Sequence, residues 1–126
     1  WVDGENIVKW KRRWLKGLDG RRIHIRSPHS ALNALLQGDG AVVCKHWIVE
    51  TERMLEEAGY VHGWEGDFAY MAWVHDELQI ACRTQEIAEE VVKIAQLAMR
   101  KVGEFYNFKC VLDTEGKIGP TWKECH

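Results

Sequence analysis

The residues best suited to chemistry lie in one short segment, WVHDELQI, residues 73–80. Two apolar flanks, each able to form a buried β-strand, enclose His75, Asp76 and Glu77. The triplet is short enough to sit at a hairpin tip. Tight hairpin turns favour Asn-Gly or Asp-Gly, because their backbone needs positive φ. His-Asp-Glu breaks that rule and sets two carboxylates side by side, which repel unless a cation or a donor is near. Departures from local rules are expected at functional sites. Chemistry supplies a reason for this one. Hard cations such as Mg²⁺ take oxygen ligands and often share one or two carboxylates with substrate phosphates. In a two-metal site the ions hold the attacking and leaving oxygens of an in-line displacement. One Asp-Glu pair does not complete such a site, so at least one more carboxylate has to come from elsewhere. Taken alone, the triplet reads more readily as a solvent-exposed polar turn, and His75 as a hydrogen-bonded structural histidine.

A second constellation precedes it. His29, Asn33 and Gln37 are spaced i, i+4, i+8, which on a helix makes one polar stripe. Leu32, Leu35 and Leu36 lie on neighbouring or opposite positions and are free to pack inward. A row of amide and imidazole donors suits the minor groove, where every base pair offers acceptors at purine N3 and pyrimidine O2. By spacing alone, an ordinary wet helix face is the plainer reading. Seven tryptophans include Trp10 and Trp14 among basic residues. That interleaving fits a stacking platform for bases, although core packing accounts for most such rings.

The elements that position these residues have to fit in 126 residues, one modest domain. The first residue is Trp1, not Met, as in an excerpt or a processed product. Net charge is −2, without an overall basic signature. Residues 9–22 hold seven basic residues against the single acid Asp19, a distribution that attracts a polyanion or simply forms a solvated face. Cys44, Cys82, Cys110 and Cys125 lack the CxxC spacing of a zinc ribbon and read as reduced thiols of a cytosolic protein. No signal peptide and no apolar run of membrane-spanning length is visible.

Asp19-Gly20 is a turn signal and predicts a hairpin from residues 13–17 and 22–26. Pro28 opens a helical stretch to about Ala58, with Gly59 as its C-cap. Gly38 and Gly40 weaken that stretch, so a bend or a close approach by another backbone is expected there. Residues 68–82 read as two β segments around the polar triplet. Residues 86–102 form an amphipathic helix with Ile87, Val91, Ile94, Ala95, Ala98 and Val102 on one face and Thr84 as N-cap. Residues 107–118 read as a returning strand with a turn at Glu115-Gly116. The order is hairpin, helix, hairpin, helix, strand, which defines an α+β fold: antiparallel β-hairpins packed with two long helices.

Together these segments resemble family A DNA polymerases of the pol I type, and within them the replicative polymerases of T-seven-like phages. The likeness runs through KWKRRWLKGLDGRR, RSPHSALNALLQGDGA, GWEGDFAYMAWVHDELQIACRT, LDTEGKIGPTW and the final ECH. WVHDELQI looks like the family's motif C, and SPHSALNALLQ like its primer-template helix. The resemblance implies a C-terminal piece of the polymerase palm. Residues 1–28 would be a basic segment and hairpin, 29–58 the primer-template helix, and 68–126 the motif C hairpin, a helix and a terminal strand. Asp76 would be a catalytic metal ligand for Mg²⁺. Glu77 would support the metal site or the primer terminus, and His75 would contact the primer-terminal nucleotide. His29, Asn33 and Gln37 would lie along the minor groove of primer-template DNA, with Arg26 reaching the same duplex or the active site. Lys11, Arg12 and Arg13 would meet phosphates.

The implied activity is DNA-directed DNA polymerase, a nucleotidyltransferase using deoxynucleoside triphosphates in DNA replication, in the cytoplasm of a host cell if phage-encoded, and without a membrane. The family's other essential carboxylate, in motif A, is outside this chain, as are its fingers helix, its thumb and its proofreading domain. The rest of the enzyme would be joined in cis or supplied as a separate chain of a split polymerase, and the chain alone would be inactive. Two other classes stay open: a non-catalytic fragment that binds duplex nucleic acid, and a metal-dependent hydrolase, which lacks a visible second ligand cluster.

Overall fold

The computed structural model describes residues 13–126 and, before them, the backbone of two short paired strands, β1 (Val2–Asp3) and β2 (Asn6–Ile7). The chain divides into two compact units, Trp1–Val43 and Cys44–His126.

In the first unit, β3 (Trp14–Lys16) pairs antiparallel with β4 (Arg22–His24), in the register Trp14↔His24, Leu15↔Ile23 and Lys16↔Arg22. The expected hairpin therefore forms, and Gly20 at φ +85° makes its turn. The same register puts Leu15 and Ile23 on one face, and Trp14, Lys16, Arg22 and His24 on the other. The Arg22 guanidinium lies 4.5 Å from the centre of the Trp14 ring. Ile25 is buried and donates its N–H to the Arg13 carbonyl at 2.8 Å. A 3₁₀ turn, Pro28–Ser30, then leads into α1 (Ala31–Glu57). Proline suits the first position of a helix, where its missing N–H costs nothing.

Helix α1 runs through Gly38 and Gly40 as one continuous element. Gly38 has a reason of its own. A Cβ at that position would stand 3.0 Å from Ile23 Cδ1, so a side chain of the hairpin, not a backbone, makes the close approach. Gly40 has open space around it and nothing in the structure explains it. The neighbouring Asp39 accepts the Leu18 N–H at 2.8 Å and ties the hairpin loop to the helix. Leu32 and Leu36 do not pack inward as expected. They are 67% and 61% exposed, while Leu35 is half-buried.

In the second unit, α1 buries Trp47, Thr51 and Leu55, one side of the helix at i, i+4, i+8 spacing. Its end forms the predicted cap. Gly59 takes φ +92°, its N–H bonds to Glu56 O, and Tyr60 N–H bonds to Leu55 O. That pair of bonds is a Schellman motif. The strands β5 (Phe68–Val74) and β6 (Glu77–Cys82) form an antiparallel hairpin from Phe68↔Cys82 to Val74↔Glu77. Leu55, Phe68 and Val91 form the core, with Tyr60, Tyr70, Ile80, Cys82, Ile87 and Ile94 packed around them. Helix α2 (Gln85–Phe105) begins where expected, with Thr84 Oγ1 accepting the Ile87 N–H. It ends three residues later than expected, in a second Schellman motif with Asn107 at φ +56°. Trp47 Nε1 donates to Ala95 O at 2.8 Å and locks α1 to α2.

The returning strand expected over residues 107–118 does not form, and Glu115-Gly116 is not a turn. The segment runs along α2 without pairing to a sheet. Leu112 packs on Gly103, Gln96 Nε2 donates to Thr114 O, and Gly116 meets Val92 so closely that a Cβ would be 2.4 Å from Val92 Cγ1. The helix face takes the contacts that a strand partner would have taken. A short helix, α3 (Trp122–Cys125), follows instead. Among the described residues no helix is long and apolar enough to cross a membrane, and all four cysteines are free thiols.

Candidate functional site

The tip of the β5–β6 hairpin consists of His75 and Asp76 alone, because Val74 and Glu77 still pair. Both tip residues are exposed. His75 takes φ +56°, in the left-handed region. Histidine visits it more often than most residues, yet such a backbone still costs about 1–3 kcal/mol and persists only where its surroundings impose it. A register shift between Tyr70 and Ala72 inserts Met71 as an extra residue in β5. Bulges of this kind re-aim side chains near functional ends of strands. Beyond it, Trp73 and Leu78 continue the face of Tyr70 and Ile80, while Glu77 and Gln79 share the opposite face.

The two carboxylates have different surroundings. Among the described residues, Asp76 has no hydrogen-bond or ion-pair partner. Its charge is nevertheless felt. Burial first, and then the Asp76 carboxylate, push the Cys44 thiol up, so that thiol stays protonated at neutral pH. Glu77 is occupied. His126 Nδ1 lies 3.0 and 3.1 Å from its two carboxylate oxygens, and Gln79 Nε2 donates to Oε1. These two bonds, His126 first, hold the Glu77 carboxyl below the usual carboxylate range. Sequence reasoning missed both His126 and Cys44. Gln79 is two residues from Glu77 on one strand face, a local signal that was available. His126 is 49 residues away and has none.

Among the described residues, no group of three or more His, Cys, Asp or Glu side chains could hold a metal ion. The donors at the tip are nonetheless the oxygen type that Mg²⁺ takes. They form a partial set: one open carboxylate and one engaged.

A cleft of about 1240 Å³ lies in the same unit, lined by β6, the first half of α2 and the segment from Thr114 to His126. Asp76 and Glu77 stand on its wall, as do Gln79, Gln96 and Trp122.

The second set of expected residues belongs to the first unit. Arg26, His29, Asn33 and Gln37 are all exposed, His29 on the 3₁₀ turn and Asn33 and Gln37 one turn apart on α1. Among the described residues none of the four spends a side-chain donor on an intramolecular hydrogen bond. Trp1, Trp10, Lys11 and Arg12 lie outside the described residues.

The second unit thus carries an open carboxylate at a strained hairpin tip, and the first unit carries exposed amides on α1. Comparison with known proteins gives the family. The model of DNA polymerase family A matches residues 5–124, and the chain belongs to that family. It is 68% identical over all 126 residues to the DNA-directed DNA polymerase of Enterobacteria phage T3, and 67% identical over the same length to that of Escherichia phage T7. The DNA-directed DNA polymerase of Escherichia phage Phieco32 is 30% identical over 120 residues, 90% of this chain. In each case the chain spans 18% of the relative's length.

Proposed function

We propose that this chain is a palm segment of a DNA-directed DNA polymerase and that Asp76 is its metal-holding carboxylate. The observation that carries the reading is the contrast at the tip. In a chain of the DNA polymerase family A, Asp76 is exposed, unpartnered among the described residues, and carried on a turn whose φ a hairpin alone would assign to glycine.

Asp76 and, less directly, Glu77 would hold Mg²⁺ together with a carboxylate from outside this chain. When bound, the metal ions lower the charge barrier for attack of a primer 3′-hydroxyl on the α-phosphate of a deoxynucleoside triphosphate, with pyrophosphate leaving. The protein's own part is positioning. Strands β5 and β6, anchored in the core by Phe68, Tyr70 and Ile80, fix the tip so that the carboxylate need not reorganise during the reaction. His75 would meet the primer-terminal nucleotide. His29, Asn33 and Gln37 carry free side-chain polar groups suited to purine N3 and pyrimidine O2, acceptors present at every base pair, so they would sense pair shape without reading sequence. Arg26 would meet a phosphate of the same duplex.

The remaining 82% of such an enzyme, by the relatives' length, would be joined in cis or come from a separate chain. The place of action would be the host cytoplasm, since the relatives are phage proteins. This chain alone is expected to extend no primer, and template-dependent extension by the isolated chain would refute that. In the complete polymerase, Asp76→Ala is expected to slow single-turnover incorporation by about a thousand-fold or more, since loss of several kcal/mol of charge stabilisation is at stake. Primer-template affinity should change by less than about threefold, because phosphate contacts elsewhere supply most of it. Equal loss of incorporation and binding would favour a duplex-binding role.

A further inference from the structure

Trp64 is 82% exposed, the most open of the large apolar side chains among the described residues, and Val61 in the same loop is 60% exposed. Yet the loop that carries them, between α1 and β5, is tied down along its length. Val61 N–H donates to Asp67 Oδ2 at 2.8 Å, and Asp67 N–H donates to Val61 O at 2.7 Å. Gly63 N–H donates to Phe68 O at 2.9 Å, and a Cβ at Gly66 would run into the Val61 carbonyl. The His62 ring stacks on buried Phe68, with 5.0 Å between ring centres and 7° between planes. Its Nε2 accepts the Tyr70 N–H at 3.2 Å, so Nδ1 carries the hydrogen and donates to Glu52 Oε1 at 2.8 Å. Arg83, just after β6, donates Nε to Gly66 O at 2.9 Å and Nη2 to Trp64 O at 3.4 Å. The backbone around Trp64 is thus fixed while its ring lies in solvent.

A rigid loop that holds a tryptophan away from the core has the form of an interface anchor. Such a ring buries a large area, and a backbone already in place loses little entropy when it docks. Tryptophan is also among the residues that dominate binding energy at interfaces. A cavity of about 260 Å³ lies against the ring, lined by Trp64, Ala69, Ala81, Cys82 and Arg83 among others, so the surface offers a ridge and a hollow. Its charge is one-sided. Glu65 is exposed on the ridge, and Glu56 is exposed at the end of α1 that leads into the loop. Burial first, and after it the Glu52 and Glu56 carboxylates, push the Tyr70 phenol up, so their field reaches the inner side of the loop. The arginines of these elements are already engaged, Arg53 with Glu50 and Glu57, and Arg83 with loop carbonyls. The chain spans 18% of its relatives' length, so most of such an enzyme has to pack against it somewhere. We propose that the Trp64 loop is a docking ridge for the remainder of the polymerase, and that the facing surface is apolar and carries Lys or Arg. The Trp64 ring takes apolar side chains and a cation over its face, and Glu56 and Glu65 meet the cations. Contacts between domains of one chain are more polar than obligate interfaces, which suits one tryptophan among carboxylates. The ridge stands at the Phe68↔Cys82 end of the β5–β6 hairpin, away from the tip that carries Asp76, so the contact steadies the strands without entering the reaction.

The inference rests on the polymerase reading for the existence of that remainder, but its readout does not pass through Asp76. The test uses the complete polymerase that carries this segment. In the wild-type enzyme, hydroxyl-radical footprinting should oxidise Trp64 at least about tenfold more slowly than N-acetyltryptophanamide in the same sample, because a docked anchor is shut off from water. Oxidation within about twofold of the free compound would overturn the docking and leave the ridge open to a separate protein. Trp64→Ala should speed amide hydrogen exchange in a segment outside these 126 residues, and Trp64→Phe should restore most of the protection. Faster exchange confined to residues 60–67 would reduce the ring to a local role and overturn the docking as well. Glu65→Lys should make Trp64 oxidise several-fold faster, since like charges then face each other across the contact. A rate unmoved by that reversal would overturn the basic character assigned to the facing surface. Full incorporation by Asp76→Ala would sink the metal-ligand reading and leave the footprinting result standing.

Discussion

The two larger hairpins turn by different means. The β3–β4 hairpin closes through Gly17–Arg21, and its left-handed position is filled by Gly20. The loop is finished locally. Asp19 accepts the Arg21 N–H at 3.1 Å and pairs with its guanidinium at 3.3 Å, and Gly17 N–H bonds to Arg21 O at 2.7 Å. The nearest atom a Cβ at Gly20 would meet is Lys16 Cε, 3.8 Å away, so the requirement there is φ and not space. The β5–β6 hairpin closes in two residues and puts His75 where the first would use glycine. Its strands are longer and rest on the core through Phe68, which is 1% exposed. Glycine fills the left-handed position of one turn and a strained histidine that of the other, where the buried strands below supply the rigidity that holds it.

That contrast can be broken experimentally. The largest effect is expected at the anchor. Phe68→Ala should lower the opening free energy of the β5–β6 amides by about 3–5 kcal/mol, as loss of a buried aromatic ring does. Leu15→Ala, at a half-buried site, should cost the β3–β4 amides about half as much. Native-state hydrogen exchange reads both, and equal losses would mean the two hairpins are anchored alike. Next come the turns, where the signs should differ. Gly20→Ala forces a Cβ into positive φ and should destabilise its hairpin by about 1 kcal/mol or more. His75→Gly relieves strain and should leave the hairpin as stable or up to about 1 kcal/mol more so, while single-turnover incorporation falls. Destabilisation by both substitutions would remove the argument from strain.

Thr84→Ala, at the junction of β6 and α2, should cost about 1 kcal/mol through the lost N-cap, visible as faster exchange in the first turn of α2. The smallest effect is pH dependence at the tip. His126 and Gln79 depress the Glu77 carboxyl below its ordinary 4.5. The contribution of that contact is therefore complete above pH 4.5 and lost as pH falls through the depressed value. A ¹³C titration of Glu77 should show a midpoint below 4.5 that moves back toward it in His126→Ala. A midpoint unmoved by that substitution would separate the tip from α3.

Much of this was legible in the residues. Asp19-Gly20, Pro28, Gly59 and Thr84 mark turns and helix ends by φ and by hydrogen-bonding capacity, and each formed the feature its chemistry requires. The period of Val91, Ala95, Ala98 and Val102 marked the buried side of α2. The same local reasoning failed where a partner decides the outcome. Residues 107–118 have the composition of a strand, but a strand needs a neighbour with free backbone groups, and α2 offered side-chain grooves at Val92, Gln96 and Gly103 instead. Leu32 and Leu36 have the character of core residues, yet they are exposed.

The carboxylate pair shows the same division. The sequence by itself determined that Asp76 and Glu77 sit together between two apolar strands, because side-chain type and alternation along the chain settle that. It could not distinguish them. Only the tertiary structure added His126, from 49 residues along the chain, to the local donor Gln79 and left Asp76 open. Local sequence sets backbone preference within a few residues. Which of two equal carboxylates is held and which is free depends on what folds next to each.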